Sequence, residues 1–286
     1  MARAPADRAA RRRLGVPFWI AVGWVVLIVA LAVLAPILPL ADPNEVFNGD
    51  LSQGLFSGHN LLGTDDAGRD LLSRTIWGSR VSLLVGFASI TLGLLVGGLT
   101  GIVAGYRRGW FDRIASAVYD VELAFPAVVL AVLLLTFLGK ELQWVLLVIG
   151  VLAIAPIGRL ARANTIAFAN REFVIAAKGL GATEARTLWR EILPNVITAL
   201  TGLALLGAAL AIVAEGGLAY LGLSVGGDTI TWGKLISTAS SGTTLRDTPL
   251  MAFVPITALL LTIFAINFIG DRLRAHFQVR EVFGAS

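Results

Sequence analysis

The sequence predicts an all-α polytopic membrane protein with six transmembrane helices, one N-terminal and five forming a core. Three observations point there. Of the 286 residues 56% are hydrophobic and only 15% charged. The mean hydropathy is +0.80. The apolar residues also gather into six runs close to the ~20 residues needed to cross about 30 Å of hydrocarbon. A soluble domain of this size needs more polar surface to stay dispersed. There is no cysteine, so disulfide and thiol chemistry are excluded, and the redox compartment is left open.

Taken in order, residues 1–15 form a basic tail with Arg3, Arg8, Arg11, Arg12 and Arg13 against Asp7. The first span, 16–38, is too long for a signal-peptide core, and no small-residue cleavage site follows, so it is predicted as a retained helix. The arginines beside it, like the pI of about 9.9, fit the bias of basic residues toward the cytoplasmic side of a membrane better than nucleic-acid binding. Residues 39–80 read as an extracytoplasmic segment, because Asp42, Glu45, Asp50, Asp65, Asp66 and Asp70 outweigh Arg69 and Arg74. The remaining spans are predicted at 81–104, 114–138, 142–157, 196–221 and 250–269. The fourth extends through Ala163, with Arg159 and Arg162 snorkelling to the interface. Arg107, Arg108 and Arg113 after the second span, and Arg272, Arg274 and Arg280 after the sixth, mark cytoplasmic ends. Both termini are therefore expected inside, including the tail 276–286, and so is the loop 164–195.

That loop contains the most informative stretch of the chain, EFVIAAKGLGATEARTLWREILPN from Glu172 to Asn195. Phe173, Ala176, Ala177 and Leu180 recur at helical spacing and predict one side of a short amphipathic helix, with Glu172 and Lys178 elsewhere on it. Small alanines allow another protein to approach the backbone closely. Gly181 suits a turn at the helix end, and Thr183 suits an N-cap for a second short helix through Leu193. Pro194 then begins the fifth span. A lipid-resting amphipathic helix is the bland alternative. It would not require this spacing of small residues, glycine and Leu-Pro, and Lys and Arg do not dominate the polar face.

The spacing of Ala176, Ala177, Gly181, Leu193 and Pro194 resembles the EAA loop of ABC-importer permeases. Further segments resemble the dipeptide, oligopeptide and nickel branch, in particular its C-type subunit. They are Leu62 to Arg74 (LGTDDAGRDLLSR), Ala104-Gly105-Tyr106 with Gly109-Trp110 and Asp112-Arg113, Ala124-Phe125-Pro126, Leu218 to Leu223 (LAYLGL), Trp232-Gly233, and Gly270-Asp271 with Leu273-Arg274. Together they cover roughly residues 60 to 276 in family order. The sequence departs from the pattern twice. Ile175 stands where the EAA pattern opens with an acid, Glu172 lying one turn earlier, and Ser224 to Thr231 replaces a proline-containing stretch, predicting a more flexible outer loop.

The resemblance implies a permease domain over 81–275 and half of a translocation pathway shared with a homologous second permease. It also implies two cytoplasmic ATPase subunits that carry ATP and magnesium, an extracytoplasmic binding protein, and residence in a prokaryotic cell membrane. Glu172, Ala176, Ala177, Lys178, Gly181, Ala182, Leu193 and Pro194 are the expected ATPase-coupling residues. The cargo is expected to be a dipeptide or oligopeptide, with a nickel chelate or other small solute as the alternative within the branch.

Chemistry of the chain's own is scarce. Gly227 to Lys234 only superficially suggests a phosphate loop, because five residues separate Gly227 from Gly233 and Leu235 replaces the required hydroxyl residue. His59 and His276 fall on opposite sides of the predicted membrane and form no metal pair. No cofactor, metal or enzymatic activity is expected. Asp120, Glu122 and Glu215 lie in or at the ends of predicted spans, where a charge is costly, and are candidates for the translocation path. Structural pairing or snorkelling is the competing explanation for each. Glu215 also raises an ATPase-independent, proton-coupled transporter as a competing class, and a non-transporting receptor is a third. Gly93, Gly97, Gly101 and Gly105 form a small-residue ladder suited to close helix packing.

Overall fold

In the computed structural model residues 15–46, 51–52, 54–56, 60–240 and 244–283 are described, and they form helices joined by turns and loops. The basic tail before Gly15 and His59 lie outside them. Helix α1, Val16–Leu34, opens on Pro17, whose missing N–H costs nothing in a first turn. Helix α2, Leu71–Arg107, is 37 residues long and passes through a π-helical turn at Leu94–Gly98. It begins ten residues before the predicted start at 81, inside the segment read as extracytoplasmic. Hydropathy misses this turn because Ser73, Arg74, Thr75 and Ser79 are polar, yet all are buried. Backbone carbonyls of the segment before the helix take up part of this polarity: Ser73 Oγ donates to the Ala41 carbonyl at 2.6 Å and Arg74 Nη1 to that of Pro43 at 2.8 Å.

The predicted third span is broken. Helix α3, Gly109–Ala124, and helix α4, Ala127–Leu138, meet at 90°. Pro126 cannot donate to the preceding turn, and it pushes Phe125 into extended geometry (φ −87°, ψ 136°). Helix α5, Leu142–Ala169, is interrupted at Ala153, three residues before Pro156. The Ala155 N–H freed by this break is taken by Glu122 Oε1 at 3.3 Å. Arg159 and Arg162, expected to snorkel, each meet an acid on α3. Carboxylates on α3 lie within their reach, so Arg159 pairs with Asp120, and Arg162 grips Asp112 through both Nε and Nη2, the latter at 2.8 Å.

After α5 come helix α6, Glu172–Gly179, and helix α7, Glu184–Tyr220. The second short loop helix predicted to end at Leu193 is instead the first three turns of α7. A π-helical stretch at Thr187–Ile192 widens the backbone just where Pro194 would otherwise clash with the preceding turn, and the helix runs on unbroken. Helices α8, Trp232–Ala239, and α9, Thr244–Asp247, follow at the opposite end. Helix α10, Pro249–Phe283, closes the chain. Among the described residues five helices are long and apolar enough to span a membrane, and six if the bent pair α3–α4 counts as one.

The glycine ladder of α2 packs on α5. A Cβ on Gly97 or Gly101 would collide with the carbonyls of Ile154 and Gly158, and one on Gly105 would stand 2.6 Å from that of Arg162. Backbone thus meets backbone, the close approach that small residues permit inside lipid. Across the bundle, Trp24 Nε1 donates to Thr262 Oγ1 at 3.1 Å and ties α1 to α10. The bundle has two polar ends, named here for Gly181 and Trp232.

Candidate functional site

At the Gly181 end, α6 is fastened to the bundle by one buried side chain. Val174 is fully enclosed and packs with Phe168, Ile192 and Val196. The helix is therefore turned relative to the predicted face. Ala177 is half-buried, whereas Phe173, Ile175, Ala176 and Leu180 point away from the bundle, Leu180 being 90% exposed. The reason lies in the partner: the apolar slot formed by α5 and α7 admits one β-branched side chain, and the others are left as an apolar outer surface.

The end of α6 explains why alanine and glycine occur where they do. The Ala182 N–H bonds back to the Ala177 carbonyl and the Gly181 N–H to that of Lys178, each at 3.0 Å, with Gly181 at φ +87°. This is a Schellman closure, which needs a left-handed residue at the position Gly181 fills. Thr183 then caps α7 as predicted, its Oγ1 accepting from the Arg186 N–H at 3.3 Å. Lys178 Nζ reaches Glu184 Oε1 across the turn at 3.1 Å and sits 5.3 Å from the Tyr106 ring centre. Tyr106 donates to the same carboxylate. One glutamate therefore joins α6, the start of α7 and the end of α2. Sequence reasoning did not single out Tyr106 and Glu184, though Tyr106 lies inside the Ala-Gly-Tyr segment and Glu184 follows the cap. Glu172 is exposed on the first turn of α6, where an acid complements the helix dipole. Leu193 is half-buried and Pro194 exposed, both on α7.

The three candidate pathway acids are not brought together. Asp120 is exposed and paired with Arg159. Glu122 holds the break in α5. Glu215 is 1% exposed and lies toward the Trp232 end. Its Oε1 accepts from Ser224 Oγ at 2.6 Å and from Thr231 Oγ1 at 2.8 Å. Thr231 also caps α8, accepting from the Lys234 N–H at 3.0 Å. Trp232, fully buried, donates its backbone N–H to Ser82 Oγ and its Nε1 to the Thr75 carbonyl, each at 2.9 Å. The stretch from Ser224 to Thr231, predicted to be flexible, is thus pinned at both ends, because its hydroxyls are the partners a buried carboxylate requires. The segment before α2 is also a closed structure. Asp65 accepts from the Ala67 and Arg69 N–H groups at 3.0 and 2.8 Å, and from Arg69 Nε at 2.7 Å, while Asp70 caps α2 through the Ser73 N–H at 2.6 Å.

A bundle with five or six helices long and apolar enough to cross a membrane is the architecture of an integral membrane protein. The chain belongs to the family described as binding-protein-dependent transport system inner membrane component, which it matches over residues 97–281. It is 35% identical over 246 residues to the dipeptide transport system permease protein DppC of Alkalihalophilus pseudofirmus, covering 86% of this chain and 80% of that one. It is 32% identical over 252 residues to the glutathione transport system permease protein GsiD of Pectobacterium atrosepticum, covering 88% and 83%. Among solved structures, a membrane chain of the MetNI methionine ABC transporter in an inward-facing conformation superposes with a TM-score of 0.61 at 18% identity, over 72% of this chain and 97% of that one. The fold is shared with that importer. The chain is the permease subunit of an ABC importer, a membrane component and not itself an enzyme, and its family implies partnership with another permease, ATPases and a binding protein.

Proposed function

We propose that the chain forms half of the pathway of an importer for dipeptides or short peptides, driven by ATPases that bear on α6. The observation that carries the coupling reading is the construction of α6. It is a short helix with an apolar outer surface of Phe173, Ile175 and Leu180, tied through Glu184 to both α2 and α7. A push on such a helix moves two long spans together, the rigid-element rocking by which transporters alternate access. Glu172, Ala176, Ala177, Lys178, Gly181, Ala182, Leu193 and Pro194 are the coupling residues in this reading. Ala176 and Ala177 leave room for the ATPase surface, and Gly181 holds the turn. The charge distribution supports placing this end and both termini in the cytoplasm. The peptide cargo is supported by the names of the relatives, which are dipeptide, glutathione and peptide permeases.

In this reading the partners are a homologous second permease, forming a heterodimer, two cytoplasmic ATPases and an extracytoplasmic binding protein. The test is uptake of labelled dipeptide into proteoliposomes holding the whole complex. Replacing Leu180 with Asp should reduce uptake at least about tenfold, a loss of ~1.4 kcal/mol in coupling, while the complex remains in the membrane. Unchanged uptake would sink the coupling role. Uptake that persists without ATP and follows a proton gradient would overturn the ATP-driven reading.

A further inference from the structure

Two cavities adjoin at the Trp232 end and share the rim formed by Asn44, Asp228, Thr229 and Ile230. The larger, about 980 Å³, is a groove between α1 and α2 whose walls include Val29, Val33, Leu84 and Phe87. Val33 and Leu84 are exposed along it, so in a bilayer the groove opens toward acyl chains. The smaller cavity, about 230 Å³, is lined by Arg69, Arg74 and Lys234. Arg80, stacked 5.0 Å over the ring of Trp77, stands at the edge of the groove with it. An aromatic and a cation at this level are what the boundary between hydrocarbon and headgroups favours.

The cations of the smaller cavity are unequally neutralised. Arg69 holds Asp65 at 2.7 Å. Arg74 turns its buried Nε toward the same carboxylate at 3.5 Å, an ion-pair contact without a hydrogen bond. Lys234 Nζ donates to the carbonyls of Gly227 at 2.6 Å and Thr229 at 3.2 Å, both uncharged. Burial, with Arg74 acting in the same direction, pushes the Lys234 ammonium below its ordinary range, although the nearby acids Asp228 and Glu215 act against this. Asp42 faces the groove and is engaged by the Asn44 N–H at 2.8 Å. An oxyanion between Arg74 and Lys234 would serve both, giving Arg74 Nε a hydrogen-bond acceptor closer than Asp65 and Lys234 a charged partner in place of two carbonyls.

We propose that the two cavities form one site for an anionic phospholipid, with the phosphate between Arg74 and Lys234 and an acyl chain in the α1–α2 groove. A soluble oxyanion would use the small cavity alone and an apolar molecule the groove alone; their shared rim suits an amphiphile. The lipid fills space between α1 and α2 where the two helices diverge, and so holds α1 against the bundle.

The test is native mass spectrometry of the delipidated complex in detergent, titrated with dioleoylphosphatidylglycerol, dioleoylphosphatidylcholine or inorganic phosphate. Phosphatidylglycerol should bind about tenfold more tightly than phosphatidylcholine. Lys234→Gln should remove that preference and Lys234→Arg restore it. Val33→Trp, which fills the groove from an exposed position and leaves the loop untouched, should weaken phosphatidylglycerol by a similar factor. Equal binding of the two lipids, or phosphatidylglycerol binding indifferent to both Lys234→Gln and Val33→Trp, would overturn the proposal. So would displacement of phosphatidylglycerol by inorganic phosphate at equal concentration, since the cavity would then be a site for a soluble oxyanion.

Discussion

Glu215 shows how a single residue can hold together distant parts of the chain. A carboxylate 1% exposed survives in an apolar bundle only with donors aimed at it, and Ser224 and Thr231 supply them from the loop that α7 runs into. Glu215→Leu should therefore loosen α8 and lower the melting temperature, by the equivalent of ~2–6 kcal/mol for two buried hydroxyl donors left without an acceptor. Glu215→Gln keeps an acceptor oxygen and should retain most of the stability and the uptake. If Glu215→Gln abolishes transport in a protein that melts normally, the carboxylate acts in transport and not merely in packing. Gly101 is a second such residue. A Cβ there strikes the Gly158 carbonyl, so Gly101→Leu should prevent α2 and α5 from closing and give aggregated protein by fluorescence-detected size exclusion. A monodisperse Gly101→Leu variant would contradict the packing described.

At the scale of elements, the turn between α6 and α7 and the pair α3–α5 decide what moves together. Gly181 at φ +87° lies where a β-branched residue pays at least ~1 kcal/mol of backbone strain. Gly181→Val should release α6 from its fixed angle and cut uptake several-fold, with membrane levels near those of the parent. Normal uptake by this variant would show that the turn need not be left-handed. Asp112 and Arg162 join α3 to α5 through a two-pronged contact. Asp112→Arg and Arg162→Asp should each lower the melting temperature, and the double exchange should recover part of the loss, the coupling of ~0.5–3 kcal/mol typical of contacting groups. Strict additivity would remove that contact from the account of the fold. The π turns at Leu94–Gly98 and Thr187–Ile192 belong to the same scale. One carries Gly97, which meets the Ile154 carbonyl of α5, and the other lets α7 run on past Pro194.

For the whole molecule, the question is which end faces which compartment. The chain has no cysteine, so one introduced thiol reports topology without background. Leu180→Cys should be modified by a membrane-impermeant maleimide only in inverted vesicles, and Asp228→Cys only in right-side-out cells. The reverse pattern would invert the orientation and with it the ATPase contact. Placing α6 at one end and the Glu215-pinned loop at the other separates the drive from the side where cargo is expected to arrive. The five long helices, or six with the bent pair, carry the connection between them.

Membrane residence, the helical class and the family were all legible in the chain. These follow from the apolar runs and from local segments whose residues are neighbours along the sequence, as in the Asp65–Asp70 turn and the Gly181 cap. Boundaries failed where hydropathy and burial part company. Ser73, Arg74 and Ser79 read as loop but lie inside α2, because backbone carbonyls, of the preceding segment for Ser73 and Arg74 and of the helix itself for Ser79, accept their hydrogen bonds and offset the cost of burial. The direction in which α6 turns its apolar residues could not be read either, since α6 by itself offers Phe173, Val174, Ile175 and Leu180 equally, and only the slot between α5 and α7 selects Val174. The glycine ladder announced a close contact without naming its partner. The sequence by itself determined what crosses the membrane, because transfer into hydrocarbon is a property of each segment. The tertiary structure alone decided what each charge and each glycine meets, because pairing and close approach depend on helices that lie far apart in the chain.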